Sequence, residues 1–167
     1  MTTSPSDLKF PLKGYTETLP QGDHPGAFAY RRKNHIHEGI DLYAAKGALV
    51  HAINDGVIIA IYQFTGEAVG MPWWEDTYAM AVADDTGIWV YGEIQNPHCY
   101  KVGDRVTKGH YIAQLKQVLK VDKGRPMTML HLERWKPYTA PHTFLWQLDQ
   151  PQPDFLLDPT PLLLEIK

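Results

Sequence analysis

The 167-residue chain carries a single cysteine, Cys99. No internal disulfide can form, so its thiol content gives no sign of an oxidising compartment. No apolar run approaches the roughly 20 residues that a membrane-spanning helix needs. The start, Met1-Thr2-Thr3-Ser4-Pro5-Ser6-Asp7, has neither the basic nor the apolar stretch of a secretory signal. Basic residues are not in excess: 16 Lys and Arg against 19 Asp and Glu give a formal charge of −3. That balance speaks against a nucleic-acid footprint. Repeats and low-complexity blocks are also missing. These absences lead us to expect a cytoplasmic protein with no nucleic-acid partner and no membrane span. A removed leader or a leaderless export route would instead place it outside the cytoplasm.

Hydrophobic residues make up 44% of the chain and charged residues 21%, which suits a globular core. The length fits one domain over 1–167, with an N-terminal arm at 1–32 and a C-terminal strap at 151–167. Thirteen Gly and thirteen Pro favour turns and strands over a helix bundle. Phe10-Pro11-Leu12 is the natural anchor of the arm. Gly39 to Tyr43 reads as a strand. Ala48 to Ile53 and Val57 to Tyr62 flank Asn54-Asp55-Gly56, which predicts a hairpin. Tyr78 to Ala83 and Gly87 to Tyr91 predict a second. Val102 to Ala113 holds short apolar pieces between Gly turns, and Thr128 to Trp135 reads as a further strand. The tail has four Pro, at 151, 153, 159 and 161, and is expected to run extended through Phe155, Leu156, Leu157 and Leu162 to Leu164.

Two segments carry metal chemistry. In His37-Glu38-Gly39-Ile40-Asp41 the His and Asp are four apart. On a strand an even spacing puts both side chains on one face, and Glu38 on the other. That placement removes Glu38 from the base role it would have in a helical HExxH motif. In Met129-Leu130-His131-Leu132-Glu133, alternation separates Met129, His131 and Glu133 from Leu130 and Leu132. Two His and one carboxylate suit zinc, with a fourth position open for water. Glu133 could accept the second ring N–H of a metal-bound His. His35, two residues before His37, is the rival ligand. A surface His beside a solvated Asp would give the first pattern equally well.

The order of the segments is more specific than any one of them. Arg32 to Leu42, containing His37-Glu38-Gly39-Ile40-Asp41, resembles the first zinc motif of the lysostaphin-type (LytM-like) peptidoglycan endopeptidases, H-x-G-x-D. Val50-His51-Ala52-Ile53-Asn54-Asp55-Gly56-Val57 is similar to the hairpin that follows it. Val102 to Ala113 resembles V-G-D-x-V-x-x-G-x-x-I-G, and Met129 to Glu133 stands where the family has H-L-H-F-E. Asp158 to Leu163 looks like its terminal segment. The resemblance runs from about residue 10 to about residue 165. It implies an all-β fold, a compact antiparallel β-sandwich or barrel-like domain of the duplicated hybrid motif kind. It implies zinc, held by His37, Asp41 and His131 in a groove walled by the loops of Trp73-Trp74 and Pro137 to Trp146.

The chain departs from the family at two positions. Tyr91-Gly92-Glu93-Ile94 stands where the family has Y-x-H-L, so Glu93 replaces one catalytic His. Met129 replaces the first His of H-L-H. Two functions remain in view. One is a zinc hydrolase of peptide or peptidoglycan substrates, with Glu93 as base or as a fourth ligand. The other is a non-catalytic zinc-binding module that holds a peptide, glycan or protein partner. A carrier-domain reading of the Gly103-Asp104-Arg105-Val106 turn fails, because no lysine sits at the required hairpin tip.

Overall fold

The computed structural model describes Ser4 and residues 7–167. Most of the start read above for a leader lies outside the described residues. Among the described residues, nine strands and one short α-helix follow in chain order, with a single 3-10 turn at Glu67–Val69: β1 (Ile40–Tyr43), β2 (Leu49–His51), β3 (Gly56–Thr65), β4 (Thr77–Ala83), β5 (Ile88–Ile94), β6 (Arg105–Val106), β7 (Tyr111–Gln114), β8 (Met129–Trp135), β9 (Leu156–Leu157) and α1 (Thr160–Ile166). Six strands lie in the order β1-β8-β5-β4-β3-β6, with β9 on β8, and every pairing is antiparallel. A small second sheet pairs β2 with β7. The expected all-β antiparallel architecture is what the chain forms.

Alternation along the strands divides the large sheet into two apolar faces. Ile40, Leu42, Met80, Val82, Trp89, Tyr91, Leu130 and Leu132 turn toward the small sheet, together with Leu12 of the arm and Leu163 of α1. Ala79, Ala81, Ile88, Val90 and Trp135 turn the other way and meet Trp146 and Leu156. The odd-numbered positions of β1 and β8, Asp41, His131 and Glu133, share this second face. Each fully buried large side chain contributes about 1.5–3 kcal/mol.

Two expectations fail. Asn54-Asp55-Gly56 does turn the chain, but β2 and β3 do not pair across it. The turn side chains bond to other turns instead: Asn54 Nδ2 donates to Asp84 Oδ2 at 3.1 Å, and Asp55 Oδ1 accepts from the Lys108 N–H at 2.8 Å. That splays the two strands into different sheets. The tail does not stay extended either. Leu162 to Leu164 lie in α1, which starts on Pro159-Thr160-Pro161 and runs through good helix formers. Pro161 occupies the first turn, where a missing N–H costs nothing. The second hairpin, β4–β5, forms as expected.

Candidate metal centre

His131 and Asp41 are direct cross-strand partners in the β1–β8 register, and both project from the second face. His37 arrives differently. It precedes β1 rather than lying on it, between the bridge at Ile36 and the bend at Gly39. The even-spacing argument therefore gives the right grouping through the wrong geometry. A loop holds His37: its N–H donates to Tyr30 O at 2.9 Å, and its carbonyl accepts from the Ala29 N–H at 3.0 Å. Gly39 permits the close approach. A Cβ there would lie 2.5 Å from Leu132 O and 2.9 Å from His131 Nε2.

The three side chains converge. His37 Nε2 lies 3.2 Å from Asp41 Oδ1 and 3.2 Å from His131 Nδ1, and His131 Nδ1 lies 3.0 Å from Asp41 Oδ1. All three residues are buried. Their outer atoms are already engaged. His37 Nδ1 donates to Ala27 O at 2.8 Å, which leaves a lone pair on Nε2 of the neutral ring. His131 Nε2 donates to Glu133 Oε1 at 2.9 Å, which leaves a lone pair on Nδ1 of the neutral ring. Arg32 Nη2 donates to the far oxygen of Asp41, Oδ2, at 2.9 Å. With both rings neutral, three electron-pair donors face one another with no proton between them.

Such a cluster can hold a metal cation. A tetrahedral ion with bonds of about 2.0–2.1 Å sets its ligands about 3.3–3.4 Å apart, close to the observed separations. The donor chemistry, the spacing and the tethering of each ligand's other atom all fit a zinc-type ion. Without one, a proton takes its place. Burial pulls the His131 imidazole down, but its hydrogen bonds to Asp41 and Glu133 outweigh that and raise it well above its ordinary value. Burial pushes Asp41 up, yet the pull of His37 and hydrogen bonds from both His hold it well below the usual carboxylate range.

Glu93 reaches this face through a break in the strand. Between the pairs Met80↔Tyr91 and Tyr78↔Ile94, two residues of β5 oppose one of β4. That is a β-bulge, which re-aims a side chain. Glu93 has φ 64°, a left-handed value that costs a non-glycine residue energy. Before the bulge Trp89 and Tyr91 face the first core, and after it Ile94 does. The parity switch turns Glu93 toward the metal face. Its carboxyl is buried and accepts from Thr77 Oγ1 at 3.0 Å. Burial pushes it up to about 7; His131 and the Thr77 hydroxyl oppose the rise, and Asp41 adds to it. Glu93 is not one of the converging donors.

The remaining residues fall into place around this centre. Glu38 points away from it and accepts from the Trp146 N–H at 3.2 Å. His35 lies outside the cluster, as do His51 and His142. Glu133 also accepts from Trp135 Nε1 at 2.7 Å, so both of its oxygens are tied. Met129 heads β8 and is half-buried. Trp73 and Tyr138 are exposed, whereas Trp146 is buried. Sequence reasoning missed Arg32, Thr77 and the carbonyl of Ala27. Gly39 stands in the H-x-G-x-D motif, but the motif does not show the close approach it permits.

Residues 35–141 match the model of Peptidase family M23, the lysostaphin-type peptidases. No curated protein matches the chain by sequence. Solved structures share the fold at low identity. CbpA from L. salivarius REN is 18% identical with a TM-score of 0.62, and the match covers 98% of each chain. A candidate M23 peptidase from Pseudomonas aeruginosa is 17% identical with a TM-score of 0.55, over 95% of this chain and 50% of that one. A zinc-containing peptidase from Vibrio cholerae is 18% identical with a TM-score of 0.50, over 79% of this chain and 39% of that one. The chain thus spans half or less of the length of the latter two. The matched span holds every converging donor and the bulge at Glu93, and on that match the chain belongs to Peptidase family M23.

Proposed function

We propose that the chain is a zinc-dependent peptide hydrolase with peptidoglycan-type cross-links as substrate. In this reading His37, Asp41 and His131 hold the ion, and Glu93 carries the proton transfer. One observation supports it above the rest: three buried donors converge while hydrogen bonds engage each ligand's other polar atom. Zinc, when bound there, supplies a polarised carbonyl and an acidified water. Glu133 fixes the ring of His131, and Arg32 fixes the carboxylate of Asp41. Glu93 takes a proton from the attacking water and returns it to the departing nitrogen. A buried carboxyl at about 7 is matched to that exchange. A nearby dication would draw it lower and favour the base form.

Met129 favours a second reading. The resemblance places a His there, and a thioether can neither move a proton nor donate a hydrogen bond to an oxyanion. A non-catalytic zinc-binding module would need neither. One experiment separates the two. Zinc-loaded protein is incubated with glycine-rich and other peptidoglycan cross-links. The expected result is slow cleavage, about 10²–10⁴ below that of an enzyme with its full acid–base set. Glu93→Gln should abolish it with zinc still bound. No cleavage by the zinc-loaded wild type supports the module. Robust cleavage that survives Glu93→Gln refutes the role given to Glu93.

A further inference from the structure

The bulge that turns Glu93 toward the converging donors creates a problem. Carboxylate oxygens are good zinc ligands, and a free Glu93 side chain on this face would compete for the fourth position. A site closed by four protein ligands keeps no place for water or substrate. In the structure the Glu93 carboxyl is instead engaged by a buried threonine hydroxyl, with a second beside it. Thr77 Oγ1 donates to Glu93 Oε2 at 3.0 Å. Thr77 Oγ1 in turn lies 2.7 Å from Thr65 Oγ1, whose single proton goes either to Thr77 or to the Glu75 carbonyl, also at 2.7 Å; while Thr77 donates to Glu93, Thr65 can back it only by donating to Thr77.

Both threonines are buried, Thr77 at 0% and Thr65 at 2% exposure, and they are register partners across β3 and β4. β-Branched side chains have few rotamers, and here both hydroxyls lie within hydrogen-bond distance of buried polar partners. Thr77 is therefore a rigid post, not a passing contact. The backbone of Glu93 is anchored as well, since its carbonyl accepts from the Lys116 N–H at 3.1 Å.

We propose that Thr77, backed by Thr65, is a latch that keeps the Glu93 carboxyl out of the metal's coordination sphere and so preserves an open position on the ion. This rests on the metal reading above. It makes Thr77 a positioning residue, acting through Glu93 and never on substrate. It also decides between the two roles open to Glu93 from sequence, proton carrier and fourth ligand.

The test uses the full chain loaded with cobalt(II), whose visible absorption reports coordination number, and zinc titrations beside it. In Thr77→Val the carboxyl is released and joins the metal. The cobalt spectrum should change, and zinc affinity should rise about tenfold or more, the scale on which contacts to metal ligands act. Thr77→Ser keeps the hydroxyl and should match wild type in both. Thr77→Val combined with Glu93→Gln should return the spectrum to that of wild type. If Thr77→Val does not fold, Thr65→Val loosens the same pair of hydroxyls one step back and should move the spectrum the same way. A metal-loaded Thr77→Val protein with the wild-type spectrum and affinity overturns the latch and leaves the metal site standing. A wild type that binds neither cobalt nor zinc overturns the metal reading, and the latch with it.

Discussion

Replacing Gly39 by alanine tests the site's construction through a single methyl group. The new Cβ would sit 2.5 Å from Leu132 O, 2.9 Å from His131 Nε2 and 3.0 Å from His131 Cε1, where ordinary contact begins near 3.4 Å. The first clash is with backbone, so no rotamer change relieves it. β1 must move off β8, or the His131 ring must tilt away from Glu133. Gly39 does not have a left-handed φ, so the cost is steric alone. Overpacking of this kind costs about 1–3 kcal/mol. Lower entropy of the unfolded chain returns roughly 0.4–1 kcal/mol. At about 2–4 °C per kcal/mol for a chain of this size, a net loss of roughly 1–2 kcal/mol lowers Tm by roughly 2–8 °C. Zinc affinity should fall about 10–100-fold, because the tilted ring loses its outer hydrogen bond. Calorimetry and a competitive zinc titration measure the two effects. Gly47→Ala is the control: its φ is 81° with nothing within 4 Å, so it should cost stability and spare the metal. A Gly39→Ala protein with wild-type Tm and zinc affinity would refute the close approach of β1 to His131.

Other outcomes follow from the same geometry. His37→Ala, Asp41→Ala and His131→Ala should each strip most bound zinc, while His35→Ala, His51→Ala and His142→Ala should not; elemental analysis after dialysis reads this directly. Chelation should lower Tm without unfolding the chain, because zinc stabilises only by mass action on a core already complete. Room-temperature unfolding on chelation, followed by circular dichroism, would contradict that. In the metal-free protein Glu93, raised from 4.5 to about 7, contributes stability below its unfolded value and loses it as pH rises through the folded one. Glu93→Gln removes that loss. Its stability relative to wild type should climb between about pH 5 and about pH 8, by up to about 3 kcal/mol. Equal urea midpoint differences at both pH values would count against a buried, protonation-coupled Glu93.

The sequence made much of this legible, for identifiable reasons. Strand alternation is a local property, so Leu130 and Leu132 parted from His131 and Glu133 as expected, and the β4–β5 hairpin was visible in its own turn. Grouping His37 with Asp41 rested on spacing, yet the structure achieves it with a loop, since Gly39 breaks the strand before His37 is reached. Long-range choices were not legible. Nothing near Asn54 says that its amide will find Asp84, so the split of β2 from β3 was hidden. The αL backbone of Glu93 gave no signal, because a bulge is a mismatch between two strands and neither strand alone contains it. Thr77 and Arg32 were invisible for a similar reason: each acts on a residue distant in sequence, through one hydrogen bond.

The pairing of Asp41 with His131 also bears on how the chain reaches its fold. Two of the three converging donors come from directly opposed positions on neighbouring strands. A slip of one residue between β1 and β8 would turn one of them into the opposite core. A slip of two would keep the faces but shift the partners by about 7 Å along the strand, too far to share an ion. Only the native alignment assembles the cradle. Zinc present during folding would therefore act as a proofreader of strand pairing, capturing chains in register and leaving slipped ones free to unpair and try again.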